Sequence, residues 1–356
     1  MKVFIKTFGC ELNRADSEVI AGLLDKEGFK LVSSLKESDV VIVNSCGVKL
    51  PTQNKVLEYI KKVPKNKRVV VGGCLPKMLN VKIYCPNVDL VFDTNSITKI
   101  AQLIKQNKSL LSDEKEDRIS LPVVRIRKEV AIIPIAQGCL GSPCAYCSVK
   151  KARGDLKSYK KEDILKQVDK AVKEGCVKIR LTAQDTGCWG KDFGQKLPHL
   201  LKSVLAVEGG FEVRLGMTNP NYALEYLGEL VDIYKSPKMK KFLHIPVQSG
   251  SDKVLQEMER KYSVQDFEKV VKKFRKDVPE ICIATDIIVG FPTETGDDFK
   301  KTLDLVKKIK PEVLNISKFG MRPGTLAANM KQLPSQEIKR RSVILHKLFR
   351  SLQKHE

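Results

Sequence analysis

The chain of 356 residues is long enough for two domains with separate cores, and its composition (42% hydrophobic, 30% charged) is typical of globular proteins. No apolar run approaches the roughly 20 residues that cross a membrane, and the first residues are strand-like rather than a signal peptide, so we expect a cytoplasmic protein with no membrane partner. Its ten cysteines favour metal or redox chemistry over a disulfide framework, and its net charge of +22 favours a polyanionic partner, although a lysine-rich proteome would give the same sum.

Residues 1–105 alternate strand and helix patterns, which predicts a parallel sheet flanked by helices in a flavodoxin-like domain. The β-rich runs lie at 2–7, 40–44, 68–72 and 90–92. The helical runs lie at 13–27, 52–62 and 96–106. No phosphate loop rich in Ser, Thr and Gly follows the first strand, so the pattern does not indicate a flavin site.

A cysteine follows each of three predicted strands of this domain: Cys10, Cys46 and Cys74. Parallel strands end at one edge of a sheet, so we expect these distant thiols to converge. A single cysteine after a strand is ordinary core filling, but three at equivalent strand ends favour a three-thiolate metal cluster. Cys85 fits no strand end, and we interpret it as structural.

Residues 106–128 are polar and charged, which predicts an interdomain linker. A second β/α series then runs through residues 129–334. Its predicted strands lie at 131–136, 177–181, 212–215, 242–245, 281–288 and 313–318. Six β/α units predict a partial (β/α)6 barrel, while strand count alone also permits a complete TIM barrel.

The first strand of this series leads into Cys139, Cys144 and Cys147, three cysteines within nine residues. Three close thiolates suit a 4Fe–4S cluster, because cysteine sulfur is the usual ligand of its irons. Three ligands would leave one iron open to a substrate or cofactor. A structural zinc site would need a fourth ligand nearby, and the next cysteine is Cys176. A disulfide is the other alternative.

The loop resembles the cluster loop of radical S-adenosylmethionine enzymes and, more narrowly, of the methylthiotransferases. Their usual spacing is Cys-x3-Cys-x2-Cys; here it is Cys-x4-Cys-x2-Cys, with an apparent extra residue in Gly141-Ser142-Pro143 that could bulge outward. The resemblance extends to the amino-terminal domain. It is carried there by Thr7-Phe-Gly-Cys-Glu-Leu-Asn-Arg-Ala-Asp-Ser-Glu18, Val43-Asn-Ser-Cys-Gly-Val48 and Val71-Gly-Gly-Cys-Leu-Pro76, and it covers the chain from Lys2 to about Met330.

This resemblance implies a three-quarter barrel, two 4Fe–4S clusters and S-adenosylmethionine as cofactors. It implies Cys139, Cys144 and Cys147 as ligands of the radical-forming cluster, and Cys10, Cys46 and Cys74 as ligands of an auxiliary cluster that supplies sulfur. By analogy with this family, the candidate S-adenosylmethionine contacts are Tyr146, Gln184, Arg214 and Gln248, and the candidate substrate contacts are Arg153 and Arg322. No catalytic residue is assigned beyond the clusters.

Among family members, the segments Thr7–Arg14, Ile135–Cys139 and Arg214–Pro220 look most like the archaeal and eukaryotic threonylcarbamoyladenosine tRNA branch. That branch implies methylthio insertion at C2 of the modified adenosine at tRNA position 37, with tRNA, an electron donor and a sulfur source as partners and a monomeric enzyme. Isopentenyl-adenosine tRNA and an aspartate of a ribosomal protein are the alternative substrates.

Residues 335–356 predict one basic helix, carrying Lys339-Arg-Arg341, that is either solvated or faces RNA. Family members commonly continue into a small tRNA-binding barrel, the TRAM domain, and this chain ends before one could form. Two rivals from other classes stay open. A cobalamin-dependent radical enzyme would share the domain pair, but its Asp-x-His-x-x-Gly motif is absent; a non-catalytic iron–sulfur RNA-binding protein would share the cysteines.

Overall fold

The computed structural model describes residues 1–353, which divide into two compact units. The first unit combines Met1–Cys139 with Ser148–Gln184, and the second combines Leu140–Cys147 with the chain from residue 185 onward. The predicted domains (1–105, 106–128, 129–334 and 335–356) follow the sequence pattern rather than this packing, and their bounds stay predictions.

The first unit begins with a five-stranded parallel sheet of the order β2-β1-β3-β4-β5, which is the flavodoxin-like order. Its strands are β1 Lys2–Thr7, β2 Lys30–Leu31, β3 Val40–Ser45, β4 Arg68–Gly73 and β5 Leu90–Val91. Its helices are α1 Glu11–Lys26, α2 Leu50–Lys61, α3 Val81–Tyr84 and α4 Ile100–Gln106. The flavodoxin-like prediction is confirmed, and the sequence pattern missed the two-residue strand β2 and the four-residue helix α3.

Helices cover both faces of this sheet, and the sequence of β3 shows why. Val40 and Ile42 pack toward α1 and α4, while Val41 and Val43 pack toward α2. All six residues of the strand are buried. A strand that is apolar on both faces is typical of a parallel sheet covered on both sides, so β3 lies at the centre.

The remainder of the first unit contains the start of the β/α series. Its elements are β6 Val130–Pro134, β7 Ala136–Gln137, α5 Val149–Arg153, β8 Lys157–Ser158, α6 Lys161–Lys173 and β9 Lys178–Thr182. Strands β6 and β9 pair in parallel, with Val130 opposite Lys178. The predicted strand at 131–136 is interrupted at Ile135, because Ala136 and Gln137 turn away to pair antiparallel with β8.

The second unit continues the series. Its strands are β10 Glu212–Leu215, β11 Phe242–His244, β12 Cys282–Val289 and β13 Val313–Lys318. Its helices are α7 Leu197–Leu205, α8 Pro220–Glu225, α9 Leu227–Lys235, α10 Asp252–Glu257, α11 Val264–Asp277, α12 Gly296–Ile309 and α13 Ser335–Gln353. Short 3-10 turns occupy Thr186–Cys188 and Leu326–Asn329 in this unit, and Leu75–Lys77 and Ile97–Lys99 in the first unit. Strands β11, β12 and β13 form one parallel sheet, and capping boxes at Ser263 and Thr295 fix the starts of α11 and α12.

Helix α13 packs against β13 and α12, which corrects both sequence-based interpretations for Arg341. That side chain is 4% exposed, and its Nη1 donates to Glu294 Oε2 at 2.6 Å, so it neither faces solvent nor is available to RNA. Arg340 stays exposed and pairs with Glu337. Within residues 1–353, none of the helices has the length and hydrophobicity that crossing a bilayer requires.

Candidate functional site

The first unit brings Cys10, Cys46 and Cys74 together at the carboxyl edge of its sheet, as predicted. Cys10 follows β1, Cys46 follows β3 and Cys74 follows β4. Strands β1 and β3 are the neighbours at which the strand order reverses, where open α/β sheets place their ligands. The three thiols lie close enough that a charge on Cys46 raises the pKa of both Cys10 and Cys74, and a charge on Cys10 raises the pKa of Cys74.

Two glycines allow this approach. Gly9 and Gly73 have φ angles of +121° and +93°, which side chains of L-residues rarely adopt. A Cβ on Gly9 would lie 2.8 Å from Cys46 Cβ, and a Cβ on Gly73 would lie 2.4 Å from the carbonyl oxygen of Ser45. The Gly-Cys pairs of the sequence therefore reflect a backbone that passes too close to β3 for any side chain.

A buried amide network supports the same edge. Asn44 Nδ2 donates to the Asn13 carbonyl at 2.7 Å and to Ser17 Oγ at 2.8 Å, and Asn13 Nδ2 donates to the Ser45 carbonyl at 3.1 Å. The Cys10 thiol donates to Asn13 Oδ1 at 3.3 Å. Because these amides bond backbone carbonyls of β3 and α1, they fix the loop that carries Cys10 relative to the one that carries Cys46.

Burial raises the pKa of Cys74 to about 11, and Arg153 partly opposes that rise. Burial by the surrounding protein also raises the pKa of Cys10, although Cys10 keeps an exposed side and Cys74 does not. Buried neutral thiols of this kind become good ligands once a metal replaces their protons. Within the described residues, no three His, Cys, Asp or Glu side chains surround a position for one metal ion. Three neighbouring thiols are the type of ligand that an iron–sulfur cluster requires, and a guanidinium lies beside them.

The second predicted trio is divided between the units. Cys139 belongs to the first unit, where its N–H donates to the Gly154 carbonyl at 3.2 Å. Gly138 before it has a φ of +77°, and a Cβ there would lie 1.9 Å from the Asp155 carbonyl oxygen. Gln184 Oε1 accepts the Gly138 N–H at 2.7 Å. Gln184, predicted as a contact of S-adenosylmethionine, therefore braces the start of the cysteine loop.

Cys144 and Cys147 belong to the second unit and share one turn, in which the Cys147 N–H donates to the Cys144 carbonyl at 2.9 Å. Ala145 between them is fixed by backbone hydrogen bonds to Met258 and Ala327. Residues 141–143, which hold the extra residue of the loop, are all exposed. The insertion lies at the surface, as expected, while the turn that carries the two thiols is anchored.

Arg260 links this turn to the polar interior of the second unit. Its Nη1 donates to Cys144 Sγ at 3.1 Å and its Nε donates to Tyr262 Oη at 2.8 Å. Burial raises the pKa of Tyr146 well above its usual value, and Arg260 partly opposes the shift. The loop tyrosine is therefore a neutral, half-buried side chain that offers a hydroxyl and an aromatic face.

The other predicted contacts lie in different settings. Arg214 stacks over the Phe242 ring at 4.3 Å. Gln248 has a φ of +71°, an uncommon backbone conformation for a residue with a side chain and one that clusters at functional sites. Arg322 is buried, and Arg153 is 2% exposed with its Nε 3.3 Å from Cys74 Sγ. The structure places all four without assigning them a ligand, so their binding roles stay predictions.

Sequence reasoning missed Asp16, Arg118 and Arg260. Asp16 accepts from Arg153 at 2.7 Å and from Arg118 at 3.0 Å, and all three side chains are buried. The sequence gives only a weak signal for these residues. Asp16 lies in the segment Thr7–Glu18, which carries the family resemblance, and Arg118 lies in the charged segment predicted to be a linker. The interpretation of Cys85 as a structural residue is consistent with the structure, since its side chain is fully buried.

Two family models match parts of this chain. Residues 133–306 match the family model described as the Radical SAM superfamily, and residues 2–93 match the one described as Uncharacterized protein family UPF0004. The probable threonylcarbamoyladenosine tRNA methylthiotransferase of Pyrococcus horikoshii is 44% identical over 98% of this chain and 84% of its own length. The threonylcarbamoyladenosine tRNA methylthiotransferase of Homo sapiens is 40% identical over 98% of this chain and 62% of its own length.

Among solved structures, the radical S-adenosylmethionine methyltransferase TsrM of Kitasatospora setae aligns with a TM-score of 0.64 at 14% identity, covering 92% of this chain and 75% of that one. At that identity the likeness concerns the fold, and it confirms the predicted α/β fold with parallel sheets. The sequence relationship to the archaeal relative is much closer and spans almost the whole chain. The chain therefore belongs to the threonylcarbamoyladenosine tRNA methylthiotransferase family of radical S-adenosylmethionine proteins.

Proposed function

We propose that this protein attaches a methylthio group to C2 of N6-threonylcarbamoyladenosine at position 37 of tRNA. Adenine C2 is an unactivated ring carbon whose C–H bond resists acid–base chemistry, so the reaction requires cofactors that generate a radical. The observation that carries the proposal is the convergence of Cys10, Cys46 and Cys74 at one sheet edge, in a chain that also has the cysteine loop of a radical enzyme. The names of the relatives supply the nucleoside.

S-adenosylmethionine and two 4Fe–4S clusters would together supply the radical, the sulfur and the methyl group when bound. Cys139, Cys144 and Cys147 would hold one cluster; Cys10, Cys46 and Cys74 would hold the other. Gln184 keeps the first loop in place through the Gly138 N–H, and Arg260 does so for the second part of the loop through Cys144. Tyr146 packs against the apolar cluster that contains Ala145.

The partners of the proposed reaction are tRNA, an electron donor and a sulfur source. The target base must leave the anticodon-loop stack to be reached. We place the monomeric enzyme in the cytoplasm, where tRNA is modified and where ten thiols stay reduced.

The test uses the full chain, reconstituted with iron and sulfide without oxygen and then reduced with dithionite in the presence of S-adenosylmethionine and unmethylthiolated tRNA. We expect 5′-deoxyadenosine by chromatography and the methylthio form of threonylcarbamoyladenosine by nucleoside mass spectrometry. A product on isopentenyl-adenosine would replace the proposed substrate. Binding of tRNA without 5′-deoxyadenosine would leave a non-catalytic RNA-binding protein.

Two cysteine variants, Cys46→Ala and Cys85→Ala, test the role of the first cysteine trio separately from that of the second. Cys46→Ala should still release 5′-deoxyadenosine but lose the methylthio product, because it removes one ligand of the sulfur-supplying trio only. Cys85→Ala is the matched control: Cys85 is also buried in the first unit, but it contacts the Leu57 carbonyl rather than the sheet edge. Equal product from wild type and Cys46→Ala would contradict the auxiliary site.

A further inference from the structure

In each unit of the protein, an arginine side chain donates a hydrogen bond to the sulfur of a cysteine that is predicted to bind a cluster. In the first unit Arg153, at the end of α5, donates from Nε to Cys74 Sγ at 3.3 Å. In the second unit Arg260 donates from Nη1 to Cys144 Sγ at 3.1 Å. Nothing in the proposed reaction requires a guanidinium on a ligand sulfur, so these two contacts need a separate explanation.

The surroundings of Arg153 leave positive charge buried beside the thiols. Its Nη2 donates to Asp16 Oδ2 at 2.7 Å, while Arg118 binds Asp16 Oδ1 at 3.0 Å. Two buried guanidinium groups therefore share one buried carboxylate. A buried ionic group is stable only when its charge is balanced, and the thiols are the next groups that could carry negative charge.

Arg153 also has an unused donor. Its Nη1 is buried and has no hydrogen-bond partner in the described part of the chain. The guanidinium of Arg153 stays charged, because arginine is not deprotonated in proteins and Asp16 binds it at 2.7 Å. A charged group with a spare, buried N–H beside three thiols is suited to a ligand that is anionic and accepts hydrogen bonds. An iron–sulfur cluster on three thiolates has both properties.

Arg260 has a comparable setting, although its side chain is only half-buried. Besides Cys144 it contacts Tyr262 and the Asn219 side-chain oxygen, and Asn219 in turn donates to Asp185 at 2.6 Å. These neighbours orient the guanidinium from the side away from the thiol. Arg260 is therefore fixed by the interior of the second unit and presents one N–H to the cysteine turn.

We propose that Arg153 and Arg260 are positioning residues that each set the reduction potential of one cluster, Arg153 for the cluster on Cys10, Cys46 and Cys74 and Arg260 for the cluster on Cys139, Cys144 and Cys147. The inference rests on the proposed function, because it takes both clusters as given. A cation and an N–H···S hydrogen bond on a ligand sulfur stabilise the reduced, more negative cluster and so raise its potential.

The experiment is a redox titration of the reconstituted full chain, followed by electron paramagnetic resonance, in wild type, Arg153→Gln and Arg260→Gln. Each substitution should move one potential to a more negative value and leave the other in place. The two variants are thus controls for one another. Arg153→Lys, which keeps the charge, should hold the potential closer to the wild-type value than Arg153→Gln does, and it also carries the test if Arg153→Gln loses its cluster.

Arg118→Gln is a further control, because Arg118 binds the same carboxylate as Arg153 through the other oxygen and also donates to the oxygens of Thr94 and Gln137. It should shift the auxiliary potential less than Arg153→Gln does. Equal shifts in these two variants, or no shift in Arg153→Gln, would overturn the inference. Wild-type protein that binds iron for only one cluster would overturn the proposed function instead, so the two failures are distinguishable.

Discussion

Gly73 and Gly28 both have positive φ angles, +93° and +78°, yet only one of them lies against another part of the chain. A Cβ on Gly73 would meet the Ser45 carbonyl oxygen at 2.4 Å, whereas a Cβ on Gly28 would meet nothing within 4 Å. The backbone strain is therefore similar at the two positions, while the steric cost differs. Comparing the two glycines therefore distinguishes the cost of a positive φ angle from the steric cost of the close approach between the Gly73–Cys74 backbone and Ser45.

We expect Gly73→Ala to lower the free energy of unfolding by about 2–4 kcal/mol, since strain and displacement of β3 add together. Gly28→Ala should cost about 1 kcal/mol, from backbone strain alone. Urea unfolding followed by circular dichroism measures both. Equal losses would mean that the contact with Ser45 does not constrain the sheet edge.

Glu18 is the residue whose ionisation should make stability depend on pH. Its Oε1 accepts the Ile126 N–H at 3.1 Å, and burial raises its pKa to about 7 from an ordinary value near 4.5. Between these values the folded protein binds a proton that the unfolded chain does not. The contribution of Glu18 to stability is therefore complete below about pH 4.5 and is lost as the pH rises through 7.

Glu18→Gln keeps the acceptor for Ile126 and cannot ionise. The variant should match wild type near pH 4.5 and be more stable by about 2–4 kcal/mol at pH 8, as expected from the size of the pKa shift. Urea unfolding between pH 4.5 and 8 tests this. Glu27→Gln, at an exposed position where Lys105 lowers the pKa of the carboxyl, should show no such gain at high pH. A constant difference between Glu18→Gln and wild type would contradict the assignment.

Among the elements, α13 shows how one helix can combine structural and solvent-exposed arginines. Arg341 Nη1 donates to Glu294 Oε2 at 2.6 Å and to the Glu294 carbonyl at 2.8 Å, and Glu294 Oε2 also accepts the Gly290 N–H at 2.8 Å. Arg340, one residue earlier, has a 61% exposed side chain and binds Glu337. The helix is thus attached to the loop after β12 by one buried pair.

Replacing Arg341 by Met should destabilise the protein by about 3–5 kcal/mol, because it leaves the Glu294 carboxylate buried without its counter-charge. Arg340→Met removes an equal charge from the same helix and should change stability little, since its ion pair is exposed. Thermal and urea unfolding of both variants provide the comparison. Similar losses would show that helix charge, rather than the pair with Glu294, attaches α13.

At the scale of the whole molecule, sequence patterns predicted the elements and the meeting of the first three thiols, but not what surrounds them. Apolar periodicity gives strands such as β10 and β13 at their observed bounds, and strand order fixes which loops share an edge. The contacts of Asp16 with Arg118 and Arg153 join residues more than one hundred positions apart. No local sequence pattern encodes a contact between residues so far apart. The sequence alone therefore places Arg118 in the predicted linker and does not indicate its ion pair with Asp16.

The large excess of positive charge has its clearest local expression in the first unit, where five lysines line an open cavity of about 350 Å³: Lys77, Lys115, Lys150, Lys151 and Lys157. The carboxylates beside them, Asp113 and Asp155, are exposed. Burial, together with the nearby cations and against the effect of Asp155, lowers the pKa of Lys115 to about 8. Crowded cations with few counter-charges are suited to the phosphates of an RNA backbone.

Each phosphate contact that is lost reduces the dependence of RNA affinity on salt, because fewer counterions are released on binding. Lys150, Lys151 and Lys157 changed together to Gln should therefore weaken tRNA binding and reduce the slope of log affinity against log salt by about 2–3. Filter binding between 50 and 300 mM salt would measure it, roughly the range over which such contacts are lost. Lys55, Lys61 and Lys62, on or next to α2 and outside the cavity, changed to Gln remove the same charge and should leave the slope nearly unchanged. If both triple variants change the slope equally, net charge rather than this cavity attracts the RNA.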